Sequence, residues 1–412
     1  MVSNTTTVAV IGGGAAGVAA ARRLFEAGVQ VLIVEARNRL GGRAWTVEAG
    51  GHPVDLGCGW LHSAESNEWT QIAEGQGRAI DRSLPPWQRP STGLDLTAEE
   101  QRDFQRAMGA FFERVGEAAQ RQRDIAAGDL FERGGRWNAL INSILTYIGG
   151  ADADRLSVRD LENYVDTEVN WRVVDGYGAV VAAHGLGLPA AFDSSVQRID
   201  HSGRRLRIET TRGVIEADKA IITLPTSVLA EGEGLFTPAL PDKTEAAGGL
   251  PLGLDDKLYL ALERPEEFAR DTRLFGRTDR STGAYTLHAF GRPQIECYYG
   301  GGLAADLERG GERAFLDFAL EELAGRLGAD FAKRVRFLAL HRWGADPFAR
   351  GSYSYALPEE ADKRAVLAAP VDDRLFFAGE ACSSHDFSTA HGAYRTGIAA
   401  ADAILTGSSG RH

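Results

Sequence analysis

The sequence predicts an α/β protein: a Rossmann-like domain, discontinuous along the chain, with a second domain of mixed sheet and helices threaded through it. Three observations predict this. Residues 7–36, TVAVIGGGAAGVAAARRLFEAGVQVLIVEA, read as strand, glycine turn, helix, strand, with β-branched runs flanking an Ala-rich segment of helical period. Residues 374–405 return to strand, loop and helix at the far end of the chain. Between them lie two insertions of different texture, one helical and one rich in short strands.

The elements follow in order. Around residues 97–128, Phe104, Met108, Phe111 and Val115 recur on one helical face, so a helix is expected there. Leu206 to Pro225 alternates in short strands about a turn at Thr211-Arg212-Gly213. YTLHAF (285–290) and QIECYYGGG (294–302) read as further strands, and GERAFLDFALEELAGRLG (311–328) as an amphipathic helix. We therefore expect residues 1–75, 172–247 and 346–412 in the nucleotide-binding domain, and 76–171 and 248–345 in the substrate domain.

Composition narrows the function. A net charge of −12 opposes a nucleic-acid partner, because phosphate binding needs a basic face, and it suits a cationic small molecule. Three cysteines without paired spacing indicate neither a disulfide framework nor a zinc site and fit the reducing cytoplasm. No apolar run reaches the length of a membrane span, and the N-terminal stretch lacks the basic region of a signal peptide. No ligand spacing suggests a metal, and no nucleophile elbow accompanies the serines.

The glycine turn carries chemistry. Gly12, Gly14 and Gly17 follow a strand directly and open a helix, which permits a tight turn, close approach of backbone to a pyrophosphate, and a helix N-terminus facing it. Glu35, 18 residues after Gly17, ends the next strand, where an acidic side chain can bind a ribose hydroxyl. A dinucleotide site is expected. Arg39, Gly41, Gly42 and Arg43 come next, where paired glycines let a loop pass close to a cofactor and an arginine can meet its oxygens.

With these motifs the chain resembles the flavin amine oxidase family, which includes monoamine and polyamine oxidases and lysine-specific histone demethylases. The matching stretches are VAVIGGGAAG, VEARNRLGGRAWT, VDLGCGWLHSAESN, AIITLPTSVL, PLGLDDKLYL, RWGADPFARGSYSY and FFAGEACSSHDFSTAHGAYRTG, in family order over nearly the whole chain. The resemblance implies an FAD-binding domain whose cofactor contacts also include Ala16, Ala36, Arg37, Gly59, Trp60, Val196, Gly379 and Glu380. It implies that Thr389 and Ala390 offer backbone N–H groups to the flavin at a helix start, with small residues there so that backbone can approach a flat ring.

Catalytic roles are likewise implied. Lys257 matches the lysine that holds a water against the flavin, and a buried amine of lowered pKa is expected there. Trp343 and Tyr353 match an aromatic wall beside the ring, and His62 is placed to tune the substrate amine's protonation. Ser352 stands where monoamine oxidases carry the cysteine that bonds flavin, so FAD is expected to be non-covalent, and Cys382 structural. Thr389 replaces the second tyrosine of the monoamine oxidase pair, and GWLHS points the same way, toward the polyamine oxidase branch. Tyr298 and Tyr299, one to each side of a strand, and Trp171 are candidate cavity walls.

The expected reaction is oxidation of an amine to an imine, then aldehyde or ketone, with O2 reduced to hydrogen peroxide. The expected enzyme is a monomer or homodimer. Three rivals share the fold: an amino-acid oxidase, which needs an arginine for the carboxylate with Arg172 a candidate; a flavin-dependent C–C desaturase; and a GDI-like binding protein without catalysis.

Overall fold

The computed structural model describes residues 4–89, 92–232 and 234–409; the outermost residues of the first and last segments assigned above lie outside them. Thr5–Ile11 sits at the centre of an eight-stranded sheet. Val31–Val34 runs parallel to it on one side, followed by Ala190–Ala191. Gly213–Ile222 lies parallel on the other side, with Ile11 opposite Ile222. That strand has two halves. Its first half folds back in a hairpin on Leu206–Thr210, and its second half takes Leu375–Phe377 in parallel. Val196–Asp200 and Phe236–Thr237 complete the edge.

The apolar runs of these strands are continuous because both faces are covered. Ala9, Ile11, Leu32, Val34 and Ile222 feed one core, while Val8, Val10, Val31, Ile33 and Ile221 feed the other. On the second face the helices Ala15–Glu26 and Ala390–Ser409 pack side by side, burying Ala20, Leu24, Ala400, Ala401 and Ile404. The contact is close enough that a Cβ on Gly397 would stand 2.3 Å from the Ala16 carbonyl oxygen. The small residues of the last helix therefore serve a helix–helix contact as well as the site at its start.

The second sheet is antiparallel, in the order Thr272–Phe275, Ala284–Leu287, Gln294–Gly300, Asp255–Leu262, Val335–Leu340. The helix Gly301–Leu327 covers one face with Phe315, Ala319 and Leu323 around Tyr299 and Tyr285. It begins ten residues before the expected start, with a break at Gly311 (φ 72°). The strand expected to reach Phe290 stops at Leu287, where His288 and Phe290 take left-handed backbone (φ 53° and 58°). Two helices, Ala98–Ala119 and Asn138–Gly149, cap the cavity side. The first opens with a capping box between Thr97 and Glu100 and buries Phe111 and Val115.

Among the described residues no helix is long and apolar enough to cross a membrane, and no cluster of His, Cys, Asp and Glu could hold a metal. Cys58, Cys297 and Cys382 are unpaired.

The helix pair yields a test. G397A is expected to force the two helices apart and cost about 1 to 3 kcal/mol, seen as a lower Tm. Gly407 on the same helix has nothing near its Cβ position, so G407A should be neutral or slightly stabilising.

Candidate active site

A cavity of about 1500 Å3 runs from the glycine turn to the open face of the second sheet. It exceeds the roughly 300–1,000 Å3 that a small ligand occupies, which leaves room for a cofactor and a substrate end to end. Of the catalytic and cofactor-binding residues expected from the family motifs, every one lines this cavity except Gly17. Gly17 lies one turn into the helix, where a Cβ would stand 1.9 Å from the Gly12 carbonyl oxygen, so it closes the turn instead.

At the glycine end, Gly12 is left-handed (φ 104°) with Thr223 against it, where a Cβ would meet Oγ1 at 2.5 Å. Gly14 and Gly42 touch through their backbones: a Cβ on Gly42 (φ 58°) would lie 3.0 Å from the Gly14 Cα, and Gly41 N–H donates to the Gly13 carbonyl at 2.8 Å. Two loops thus cross with no room for side chains, leaving bare backbone at the cavity. Glu35 ends its strand beside them, Oε2 accepting from Gly13 N–H at 2.7 Å and Oε1 from Arg37 N–H at 2.8 Å. Burial raises its pKa, and those two N–H groups pull against the shift. Each oxygen keeps a lone pair for a ligand hydroxyl. Ala36 and Val196 border the same end, and Arg37 is held by Asp346 at 2.7 Å. These are features that fit the adenosine diphosphate half of a dinucleotide.

Arg43 leads inward, donating to the Ser352 carbonyl at 2.7 Å and to Glu380 at 2.9 Å. Glu380 also accepts from the Ser354 hydroxyl at 2.6 Å and the Ser388 N–H at 3.0 Å. Burial alone would raise its carboxyl; Arg43, Ser354 and Arg364 outweigh that and hold it below the usual range. Gly379, at the end of the preceding strand, is left-handed and extended (φ 146°), tied to Thr396 Oγ1 at 3.0 Å. Thr389 precedes the last helix and caps it, its hydroxyl accepting from Gly392 N–H at 3.0 Å. The Ala390 carbonyl accepts from Trp69 Nε1 at 2.9 Å. The N-terminus of this helix therefore faces the cavity in a fixed pose.

The opposite wall is the open face of the second sheet. Lys257 and Tyr298 are cross-strand partners there, with Asp255 and Glu296 on the same face. Lys257 is buried, not at the surface, and donates to the Gly57 carbonyl at 2.6 Å, with Glu296 at 3.6 Å. The lowered pKa expected for it is overturned. Burial by itself would depress the ammonium, but Tyr298, Glu296 and Asp55 outweigh it and hold Lys257 above the ordinary lysine range. Gly59 lies close beside it: a Cβ there would stand 3.0 Å from Nζ and press on the ammonium. Asp255 is pushed up to about 8 by burial, with one carboxylate oxygen lacking a partner.

Trp343 is almost wholly buried, its Nε1 donating to the Leu56 carbonyl at 2.9 Å, so only part of one ring borders the cavity. Tyr353 donates to the Tyr147 carbonyl at 2.7 Å. Ser352 Oγ is spent on the Asp255 backbone, donating to O at 3.0 Å and accepting from N–H at 2.8 Å. Trp60 stands edge-on to Trp87 at 4.5 Å. His62 Nδ1 lies 2.6 Å from Asn170 Oδ1; because Asn170 Nδ2 donates to the Glu168 carbonyl, its Oδ1 is the acceptor and Nδ1 carries the hydrogen. Burial lowers the His62 pKa against the pull of Asp166, so the ring is neutral and Nε2 is an acceptor.

Tyr298 lines the cavity while Tyr299 points to the opposite core, as alternation along a strand requires. Trp171 does not reach the cavity. Neither does Arg172, which is buried on Asp271 at 2.9 Å and stacked on Phe290. Cys58, Thr223, Asp255 and Glu296 line the site without having been singled out as site residues. Asp255 was legible two residues before Lys257, on the same strand face; Glu296 was not, because its place depends on cross-strand register.

The chain matches the family model described as flavin containing amine oxidoreductase over residues 15–159 and 161–405. It is 32% identical to Polyamine oxidase 2 of Arabidopsis thaliana, covering 98% of this chain and 88% of that one. It is 30% identical to Polyamine oxidase 4 of Oryza sativa subsp. japonica, covering 96% and 88%. Among solved structures, a putrescine oxidase redesigned in its cofactor binding superposes with a TM-score of 0.79 over 98% of this chain and 99% of that chain, at 18% identity, which speaks to the fold.

The Glu380 pair gives a pH-dependent test. E380Q leaves Arg43 without its counter-charge and is expected to cost about 3 kcal/mol of stability at neutral pH. The folded-state carboxyl lies below its unfolded value of about 4.5, so this contribution is complete above that pH and is lost as pH falls through the folded pKa. Unfolding curves of wild type and E380Q should therefore converge on acidification; a gap independent of pH would contradict it.

Proposed function

Since the chain belongs to the flavin-containing amine oxidoreductase family, we propose that its cavity holds FAD along the glycine end and oxidises an amine against the Lys257 wall. FAD, when bound, would accept a hydride equivalent from the carbon bearing the amine while the nitrogen gives up a proton, and the two electrons and two protons would pass on to O2 as hydrogen peroxide. The imine released adds water and splits to a carbonyl compound and an amine or ammonia.

The protein's part is to bind, orient and exclude water. Gly12, Gly14 and Gly42 present backbone to the pyrophosphate, Glu35 accepts from the ribose hydroxyls, and Ala16, Ala36, Arg37 and Val196 border that half. Arg43 and Glu380, with Gly379, line the middle. The helix N-terminus at Thr389 and Ala390 would lie beside the flavin and stabilise negative charge on it. Lys257 stays charged; with one donor on Gly57 and one toward Glu296, it keeps a third for a water. Trp343, Tyr353 and Trp60 wall off solvent. Neutral His62 offers Nε2 as acceptor to the substrate's N–H. The substrate must arrive as free amine, since a protonated nitrogen has no lone pair to expel a hydride.

The observation that carries this reading is the continuity of one cavity from the Gly14–Gly42 crossing to the buried Lys257. A floor carrying Asp255, Lys257 and Glu296 is unsuited to the apolar substrates of a C–C desaturase. We assign residues 1–75, 172–247 and 346–412 to the cofactor domain and 76–171 with 248–345 to the substrate domain, a reading supported by the membership of the two sheets. Three unpaired cysteines support a cytoplasmic location. We read the enzyme as a monomer or homodimer.

Anaerobic addition of amines to the purified yellow protein should bleach its flavin absorbance, and air should restore it with peroxide release; a bound flavin that no amine bleaches would sink the proposal. K257M should retain flavin yet react at least about tenfold more slowly. Acid precipitation should leave all flavin in the supernatant, because Ser352 offers no thiol; flavin fixed to the pellet would contradict non-covalent binding.

A further inference from the structure

Among the described residues six arginines line the cavity, and five of them make ion pairs. Arg37 is paired with Asp346, Arg43 with Glu380, Arg89 with Asp271, Arg270 with Asp81 and Asp271, and Arg350 with Glu231. Arg273 is the exception: among the described residues its backbone pairs in the sheet opposite Thr286, while its guanidinium has neither an ion pair nor a hydrogen bond. Its guanidinium lies 4.7 Å from the Phe275 ring centroid and 6.0 Å from that of Trp87. Aromatic faces stabilise a cation but leave all five N–H donors unused. The nearest carboxylate, Asp95, acts on it through space without an ion pair or hydrogen bond to the guanidinium. Asp95 accepts from the N–H groups of Leu96 and Phe275, and the Tyr147 hydroxyl donates to the Thr282 carbonyl.

Its position on the sheet adds direction. Phe275, Ala284, Tyr298 and Lys257 form one row across four strands, and Arg273 leans over the Phe275 end of that row. At the other end stands Asp255, with an unpartnered oxygen, beside Lys257. The floor therefore has Lys257 with its acidic neighbours where the reacting nitrogen arrives, and at the far edge a guanidinium whose N–H donors are unused. Three strand spacings are about 14 Å, and side-chain reach shortens the usable span to the order of 10 Å. That is too long for an α-amino acid and suits a chain.

We propose that Arg273 anchors a carboxylate at the far end of the substrate, which makes the substrate class an ω-amino carboxylate and not a polyamine. This rests on the amine oxidation proposed above. A planar guanidinium binds a carboxylate through two parallel hydrogen bonds. A second ammonium, as in a diamine, would meet the same group as a like charge in a shielded cavity. Even if the two cations stayed about 10 Å apart, an effective dielectric constant near 20 makes that repulsion at least roughly tenfold in affinity.

The test compares four probes of equal chain length on the FAD-loaded enzyme: the ω-amino carboxylate, its amide, the α,ω-diamine and the plain alkylamine. Anaerobic flavin reduction and peroxide formation both serve as readouts. The expected kcat/KM order places the amino carboxylate first, at least about tenfold over the diamine. R273Q should collapse that ratio to near unity, R273E should invert it, and R273K should restore part of it. A saturated monocarboxylate should inhibit the wild type competitively and R273Q far less. A wild type that prefers the diamine, an amide that matches the carboxylate, or a ratio unmoved in R273Q would overturn the proposal. Flavin that none of the four probes bleaches would overturn the oxidase reading beneath it as well.

Discussion

Glu380 holds together stretches of chain that lie far apart in sequence. It takes the guanidinium of Arg43 from the first loop, the hydroxyl and N–H of Ser354 from the segment after the second sheet, and the N–H of Ser388 ahead of the last helix. Ser354 passes the link to Arg364, whose guanidinium grips Asp160 through two bonds of 2.8 Å and lies over Phe387 at 3.8 Å. A buried carboxylate is costly unless its lone pairs are filled and its charge matched. Here both conditions are met only when all these segments are in place. The helix start at Thr389, the loop at Arg43 and the helical cap carrying Asp160 are fixed by the same demand.

Around that junction the two sheets supply different things to one cavity. The parallel sheet, buried on both faces, can offer only what lies at its strand ends: Glu35, Gly379 and the glycine turn at Gly12. The antiparallel sheet keeps one face open, and alternate residues of its strands become the floor. The charged side chains on that floor interact with one another before they meet a ligand. Lys257 is held in its charged form by Tyr298, Glu296 and Asp55, despite burial that favours the neutral amine. Its chemistry is set by partners on another strand and another loop.

Much of this was legible in the sequence. The first fifty residues announce a dinucleotide turn because the roles of Gly12, Gly14 and Glu35 are local: positive φ, bare backbone and a strand end all fall within one βαβ unit. The hairpin at Thr211-Arg212 and the capping box at Thr97 are local in the same sense. Trp171 and Arg172 show the opposite case. Both sit in a short segment without periodicity, and nothing nearby in sequence reveals that Asp271 and Phe290, about a hundred residues on, turn Arg172 away from the cavity.

The sequence by itself therefore determined the fold class and the dinucleotide cradle, since these follow from turn chemistry, side-chain alternation and motif order. Tertiary structure alone decided how charge is distributed among them. Whether Lys257 is protonated, whether Glu380 is ionised, and which cavity arginine makes no ion pair depend on distances of a few ångströms between segments remote in sequence. Coulomb energies at such separations in a shielded interior outweigh the intrinsic preference of any single side chain.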